Sequence, residues 1–262
     1  MLVIRDEQIN RFREARRQQA ENHMLAHVRK RFPFGFHLLG EELVRLMARD
    51  ALRRAAAYGI GTESGATLFL HLMLRLGVDL DRDPQLGFIA GTLKDATLTG
   101  QARIRSLHQE AGRYLAAVEG PGRAHLVEAM HRMEAFPEVW FAEPQICFME
   151  ELREALRLLY PEKCARMGPK PLEAVVARAG RKATSYTLET ASGQALLSAM
   201  ILLAGSGVLE DPRFPEVQQV LERTDGEDAG KRAAHLRDAF RNFGQILTED
   251  RVSATREVAF QA

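Results

Sequence analysis

The sequence predicts an all-α protein built from two tandem copies of a multi-helix unit of about 100 residues, in a pseudo-twofold arrangement. Apolar residues recur at helical spacing along most of the chain. The alternating, β-branched runs typical of strands are sparse. A shift of 128 positions brings the first half of the sequence into register with the second.

Five helices are predicted in the first half, separated by proline, glycine and capping residues. Pro33 ends the first helix, because the residue before a proline avoids helical geometry. The segment from Phe34 to Gly40 is predicted to be a loop. The helices are placed at about Arg5–Phe32, Leu43–Tyr58, from a Thr62 or Ser64 cap to Leu76, from Pro84 to about Lys94, and Gln101–Val118.

The repeat is visible without a gap over the 53 positions from Phe32 to Pro84, of which 14 are identical to the residue 128 positions later. Chance would give about three or four identities at ordinary composition. The shared residues read as helix starts and ends, so they serve the fold rather than a site. They include Pro33/Pro161, Gly40/Gly168, Tyr58/Tyr186, Thr62/Thr190, Gly77/Gly205 and Asp83/Asp211.

Four segments follow from this pattern. The first unit with its long N-terminal helix covers 1–118, a linker with a short helix covers 119–147, the second unit covers 148–246, and a polar tail covers 247–262. Two copies are fewer than an extended solenoid needs. A pseudo-twofold pair or a fused ancestral dimer is therefore the expected architecture.

Charge and composition disfavour nucleic-acid binding, membrane insertion and secretion. The chain has 36 basic and 35 acidic residues, a balance that disfavours a general nucleic-acid binder. The longest apolar stretch, Leu68 to Leu76, is much shorter than the roughly 20 residues of a membrane span. The N-terminal residues lack the apolar run of a signal peptide, and two cysteines make no disulfide framework. We expect a cytoplasmic protein.

No motif in the sequence predicts a catalytic, cofactor or metal site. Asp79, Asp81 and Asp83 begin like a calcium loop, but the sixth and twelfth positions are Pro84 and Ala90 instead of glycine and glutamate. A polar loop between helices is the favoured interpretation. Cys147 and Cys164 lack a C-x-x-C pattern and are expected to pack in the core.

His23 and His27 are four residues apart on the first helix, a spacing that can chelate a metal. They lack the accompanying glutamate of a zincin, and the other copy has Glu151 and Ala155 there. His71, which is Ala199 in the other copy, is expected to be partly buried with its hydrogen bonds satisfied. An enzyme is therefore the least favoured function, although a pocket gathering His23, His27 and a carboxylate would reopen that hypothesis.

Two aromatic segments are the candidate partner-binding sites. Phe34, Phe36 and His37 follow the first helix, and their counterparts in the second copy are more polar. Trp140 and Phe141 lie in the linker. Each segment is either buried against its unit or part of a docking groove.

Residues 27–84 resemble a group of small bacterial helical proteins that look like accessory proteins encoded near type VI secretion spike and PAAR-repeat genes. The similar stretches are HVRKRFP at 27–33, LGEEL at 39–43, YGIGTE at 58–63 and the segment from Leu70 to Pro84. The resemblance covers about a quarter of the chain well and implies a role in effector loading or spike assembly, by association alone. It implies no catalytic residues.

These observations predict a non-enzymatic protein-interaction module, such as an adaptor or chaperone for a type VI secretion effector. No cofactor is expected, and the expected partner is a protein. The alternatives are a protein that binds a small apolar ligand and an immunity protein that neutralises a toxin.

Overall fold

The computed structural model describes residues 6–136, 148–222 and 228–249, and every regular element in these ranges is helical. None of the described helices is both long enough and apolar enough to cross a bilayer. Within the same ranges, three short 3-10 turns lie at Pro84–Leu86, Pro121–Arg123 and Val208–Glu210. The α-helices of the described ranges are α1 (Asp6–Arg31), α2 (Pro33–Ala57), α3 (Glu63–Leu76), α4 (Gly87–Lys94), α5 (Gly100–Glu119), α6 (Ala124–Ala135), α7 (Phe148–Leu159), α8 (Pro161–Met167), α9 (Pro169–Ser185), α10 (Ala191–Ala204), α11 (Pro215–Leu221) and α12 (Ala229–Glu249).

The loop predicted from Phe34 to Gly40 is wrong, because this segment is the first part of α2. Pro33 ends α1 and also occupies the first helical position of α2, where its fixed φ suits a helix and its missing N–H is not needed. The break comes later, at Gly40, whose φ of +74° and ψ of 160° interrupt the helix. Only glycine adopts this conformation readily.

The helix ends use the residues that the sequence singles out. Thr62 and Thr190 cap α3 and α10, each hydroxyl accepting a hydrogen bond from a backbone N–H three residues later at 3.1 Å. Gly77 and Gly205 end the same helices with φ of +108° and +98°. The Thr62 cap and the glycine ends predicted from the sequence are confirmed.

The buried positions of α2 recur in α9 at the same spacing of 128 residues. Each pair consists of two buried, apolar side chains: Val44 and Leu172, Met47 and Val175, Ala48 and Val176, Ala51 and Ala179, and Ala55 and Ala183. Leu107 of α5 and Leu236 of α12 are likewise both fully buried, at a spacing of 129. The two helix sets therefore present matching faces to the core.

The ends of α3 and α10 meet in the interior, where polar groups link the two halves of the chain. The backbone N–H of Ser206 donates to Asp83 Oδ2 at 2.7 Å, and Gln85 Nε2 donates to the carbonyl of Ile201 at 2.9 Å. In the opposite direction, Arg213 Nη1 donates to the carbonyl of Leu74 at 2.8 Å. We call this contact region the junction.

Arg213 is held in the junction by Asp211, whose side chain is fully buried. Nε of Arg213 donates to both carboxylate oxygens at 3.0 and 2.9 Å, and Nη2 donates to Oδ2 at 2.6 Å. Such multidentate geometry offsets the cost of burying the two charges.

Candidate functional site

An open cleft of about 1250 Å³ lies between α1, α3 and α5. Small-ligand sites usually enclose about 300–1,000 Å³. The lining on α3 runs from Glu63 to Arg75, which are twelve positions apart. At the helical rise this corresponds to a length of about 18 Å.

Apolar side chains form the floor of the cleft. Leu72 is buried, while Leu68 of α3 and Leu115 of α5 are half-buried. Gly112 of α5 also lines the cleft, and a Cβ added there would meet nothing within 4 Å. The floor therefore offers apolar surface to an occupant of substantial size.

A histidine–carboxylate pair stands at one end of the cleft. His23 Nδ1 and Glu63 Oε1 are 2.8 Å apart, and their side chains are 56% and 45% exposed. His27 follows one helical turn after His23, and its ring centroid lies 6.5 Å from that of His71. The cleft thus gathers His23, His27 and a carboxylate, the combination that reopens the hypothesis of an enzyme.

His71 forms part of the wall of the cleft and is mostly buried. The rings of His71 and Phe32 make an edge-to-face contact, with their centroids 4.8 Å apart. Burial lowers the pKa of His71 to about 3, and the nearby positive charge of Arg75 acts in the same direction. His71 is therefore neutral at pH 7, where its ring can both donate and accept hydrogen bonds.

Positive charge gathers at the other end of the cleft. Glu119 Oε2 accepts hydrogen bonds from Arg75 Nη2 at 2.7 Å and from Arg123 Nε at 3.1 Å. Arg31 of α1 lines the cleft as well. Guanidinium N–H groups from three arginines therefore line this end, and such groups suit an occupant with carboxylates.

The aromatic residues singled out from the sequence do not contribute to this cleft. Phe34 and Phe36 are half-buried in the first turns of α2, and the Arg29 guanidinium lies 4.6 Å from the centroid of the Phe36 ring. His37 is exposed on the same helix. None of the three is among the described residues that line the cleft. Trp140 and Phe141 lie outside the described residues, as does Cys147.

The acidic loop serves the fold. Asp83 Oδ1 accepts from the backbone N–H of Gln85 at 2.9 Å, which confirms the predicted helix-start role of Asp83. Asp81 pairs with Arg54 and accepts a hydrogen bond from the Tyr58 hydroxyl at 2.8 Å. Within the described ranges, no three histidine, cysteine, aspartate or glutamate side chains are placed to hold a metal ion.

Cys164 is a buried core residue, as predicted. Its thiol donates to the carbonyl of Leu156 at a sulfur–oxygen distance of 3.4 Å, and burial raises its pKa to about 11. A thiol with so high a pKa is a poor nucleophile at neutral pH.

A second, much smaller cavity of about 40 Å³ lies beside the junction, lined in part by Asp83, Tyr114 and Lys163. Burial lowers the pKa of Lys163 and raises that of Tyr114. A space of this size admits about one or two water molecules. It is too small for a substrate, so the open cleft is the better candidate site.

Sequence reasoning did not identify Glu63, Arg75, His108, Glu119 or Arg123 as cleft residues. A signal was available in the differences between the halves. His27, His71 and Arg75 are polar, whereas the residues 128 positions later are Ala155, Ala199 and Leu203. Polar residues at positions where the other half has alanine or leucine indicate that this helix face is not packed as core in the first half.

Comparison with known proteins gives no match: no family model, no curated protein and no solved structure is significantly similar to this chain.

Proposed function

We propose that this protein is a non-enzymatic interaction module that binds a segment of a partner protein in the cleft between α1, α3 and α5. The open cleft, with an apolar floor and charged groups at both ends, carries this proposal. An apolar centre surrounded by polar groups is the usual anatomy of a protein-binding surface. Its volume exceeds that of most small-ligand sites.

We further propose that the two halves are copies of one unit, related by a local twofold axis through the junction. A residue that touches its own counterpart lies close to such an axis. A Cβ added to Gly77 would lie 3.8 Å from Gly205 Cα, and the converse distance is also 3.8 Å. Likewise, a Cβ on Gly207 would lie 2.9 Å from Cγ of Asp79, the residue 128 positions earlier.

The exposure of the polar groups favours binding over catalysis. His23 and Glu63 stand in water at the open rim, where a proton-transfer pair gains little from its surroundings. His71 is shielded, but its lowered pKa makes it too weak a base. Among the described residues of the cleft, these histidines are therefore better suited to donating or accepting hydrogen bonds with a bound segment.

The partner we propose is a secreted effector or a spike component of a type VI secretion system. This part of the proposal rests on the sequence resemblance of residues 27–84 alone, by association. It is tested by measuring pairwise binding between the purified chain and the products of the neighbouring genes. If none of these proteins binds, this partner class is wrong while the cleft remains a candidate site.

A steric block tests whether binding uses the cleft. Gly112→Trp places a large side chain in the open space of the cleft within α5, where replacing glycine does not weaken the helix. Gly91→Trp is the matched control, because Gly91 is also an exposed helical glycine with nothing within 4 Å of an added Cβ, but it does not line the cleft.

We expect peptides of about 16 residues, selected from a phage-displayed library on the full chain, to bind the wild type and Gly91→Trp equally. Gly112→Trp should weaken their binding by at least about tenfold. A selection that yields no peptide sensitive to Gly112→Trp would refute the proposed function. Far-UV circular dichroism of the three proteins verifies that all are folded.

A small apolar ligand is the second candidate occupant, favoured by the leucine floor with a few polar groups directed into the cleft. Native mass spectrometry of the chain purified from its own host would then detect a bound molecule. Gly112→Trp should abolish this added mass, whereas Gly91→Trp should retain it.

A further inference from the structure

We infer, resting on the interaction function proposed above, that the segment bound in the cleft is an amphipathic α-helix with acidic residues on its flank. The second half of the chain already contains the equivalent groove with a helix in it. The cleft of the first half is the corresponding groove, and none of the described helices fills it.

The two grooves are built from corresponding helices. The cleft lies between α1, α3 and α5, whose counterparts at spacings of 128 or 129 residues are α7, α10 and α12. The linker helix α6 packs against these three counterparts, and Arg132 Nη1 donates to the carbonyl of Leu159 in α7 at 3.4 Å. Thus α6 occupies, in the second half, the position that is open in the first.

The way α6 is held indicates what a groove of this shape accepts. Leu126, Ala129, Met130 and Met133 are the buried residues of its inner face. Their spacing of three, four and seven residues is that of the apolar stripe of an amphipathic helix. α6 has 12 residues and a length of about 18 Å, the same as the stretch of α3 that lines the open cleft.

The residues that line the groove of the first half are more polar than their counterparts in the second half. Ala199 and Leu203 belong to α10, against which α6 packs, and they are buried, at 0% and 6% exposure. Their counterparts His71 and Arg75 are only partly buried. A helix that fills the cleft would cover these polar groups, so it must offer them hydrogen bonds or charge.

Charge complementarity specifies that chemistry. Arg31, Arg75 and Arg123 gather at one end of the cleft with Glu119 as the carboxylate among them. An occupant with aspartate or glutamate beside its apolar stripe would accept hydrogen bonds from the guanidinium N–H groups at this end. The α6 sequence carries apolar residues that suit Ala199 and Leu203 but is not matched to this polar lining.

The experiment uses the cleft-dependent peptides from the phage selection described above, synthesised with a fluorescent label and titrated with the full chain by fluorescence anisotropy. Each peptide is compared with three variants: proline at a central position, alanine at the same position, and glutamine in place of its acidic residues. Circular dichroism of the complexes, with the spectrum of the free chain subtracted, reports helix formation in the peptide.

The helix is supported if the peptides share apolar residues at i, i+3 or i+4, and i+7, and gain helical signal on binding. Proline should then weaken binding at least about tenfold relative to alanine, because it breaks the helix. Glutamine should weaken it about threefold, and this difference should shrink in high salt.

Cleft-dependent peptides that tolerate the central proline and bind in an extended form would overturn this inference while leaving the proposed function standing. Helical peptides that bind equally well with glutamine would overturn the acidic flank. If no peptide is sensitive to Gly112→Trp, the proposed function fails first.

Discussion

Alanine at Gly77 or Gly205 should destabilise the protein more than alanine at glycines of similar backbone conformation elsewhere. At both positions φ is near +100°, where a residue with a Cβ is strained by about 1–3 kcal/mol. The added Cβ of Gly77 would also lie 3.0 Å from the carbonyl oxygen of Ala204, and that of Gly205 would lie 3.0 Å from the carbonyl oxygen of Leu76. Overpacking of this kind costs about 1–3 kcal/mol more.

Gly40→Ala and Gly168→Ala separate the two contributions. Both glycines have positive φ, +74° and +80°, yet an added Cβ meets nothing within 4 Å at either position. These variants should be destabilised only by backbone strain, whereas the free energy of unfolding of Gly77→Ala and of Gly205→Ala should each fall by about 3 kcal/mol or more in total. Chemical denaturation followed by far-UV circular dichroism gives the free energy of unfolding of each variant.

The double variant Gly77→Ala/Gly205→Ala is a further check on the junction. Both methyl groups enter the same contact between α3 and α10, so one displacement relieves both clashes. The combined loss of stability should be smaller than the sum of the two single losses. The reasoning about the junction would be refuted if Gly77→Ala and Gly205→Ala were no more destabilising than Gly40→Ala and Gly168→Ala.

Three further outcomes can be measured with the same denaturation assay. The pKa of His71 is lowered from 6.5 to about 3 in the folded chain, so the unfolded chain binds the proton more readily. The free energy of unfolding should therefore fall as pH drops below 6.5, by about 2 kcal/mol at pH 4.5 after allowance for the open cleft. His71→Ala should remove this part of the loss. Asp211→Ala should cost about 3–5 kcal/mol because it leaves buried Arg213 without its carboxylate, and adding Arg213→Met should restore part of it. Thr190→Ala should cost about 1 kcal/mol by removing the α10 cap, and an unchanged midpoint would contradict that role.

The helix ends were predictable because they depend on local chemistry. The side chains of Thr62 and Asp83 accept hydrogen bonds from backbone N–H groups two or three residues later, and Gly77 ends its helix with a positive φ. The segment after Pro33 was misassigned because a proline between two helices reads equally well as an end and as a start. Its aromatic residues suggested a loop, although their half-burial on α2 is ordinary for a helix.

The cleft could not be predicted because its polar residues come from distant parts of the chain. Glu63 lies 40 residues after His23, and Glu119 lies 44 residues after Arg75. No short motif encodes such contacts, since they depend on how α1, α3 and α5 pack. The mismatch between His71 and Ala199 was visible in the sequence, but interpreting it required knowing that α6 packs against α10, the helix that carries Ala199.

The position of α6 has a consequence for stoichiometry. If the two halves are equal units as proposed, α6 is the one helix among the described residues that packs into a groove of this kind, and it lies in the second half. The chain would then be an asymmetric derivative of a symmetric ancestor, with one groove covered by α6 and the other left open by the described helices. If the proposed function holds, one partner segment per chain is expected, whereas a symmetric dimer with two open grooves would bind two.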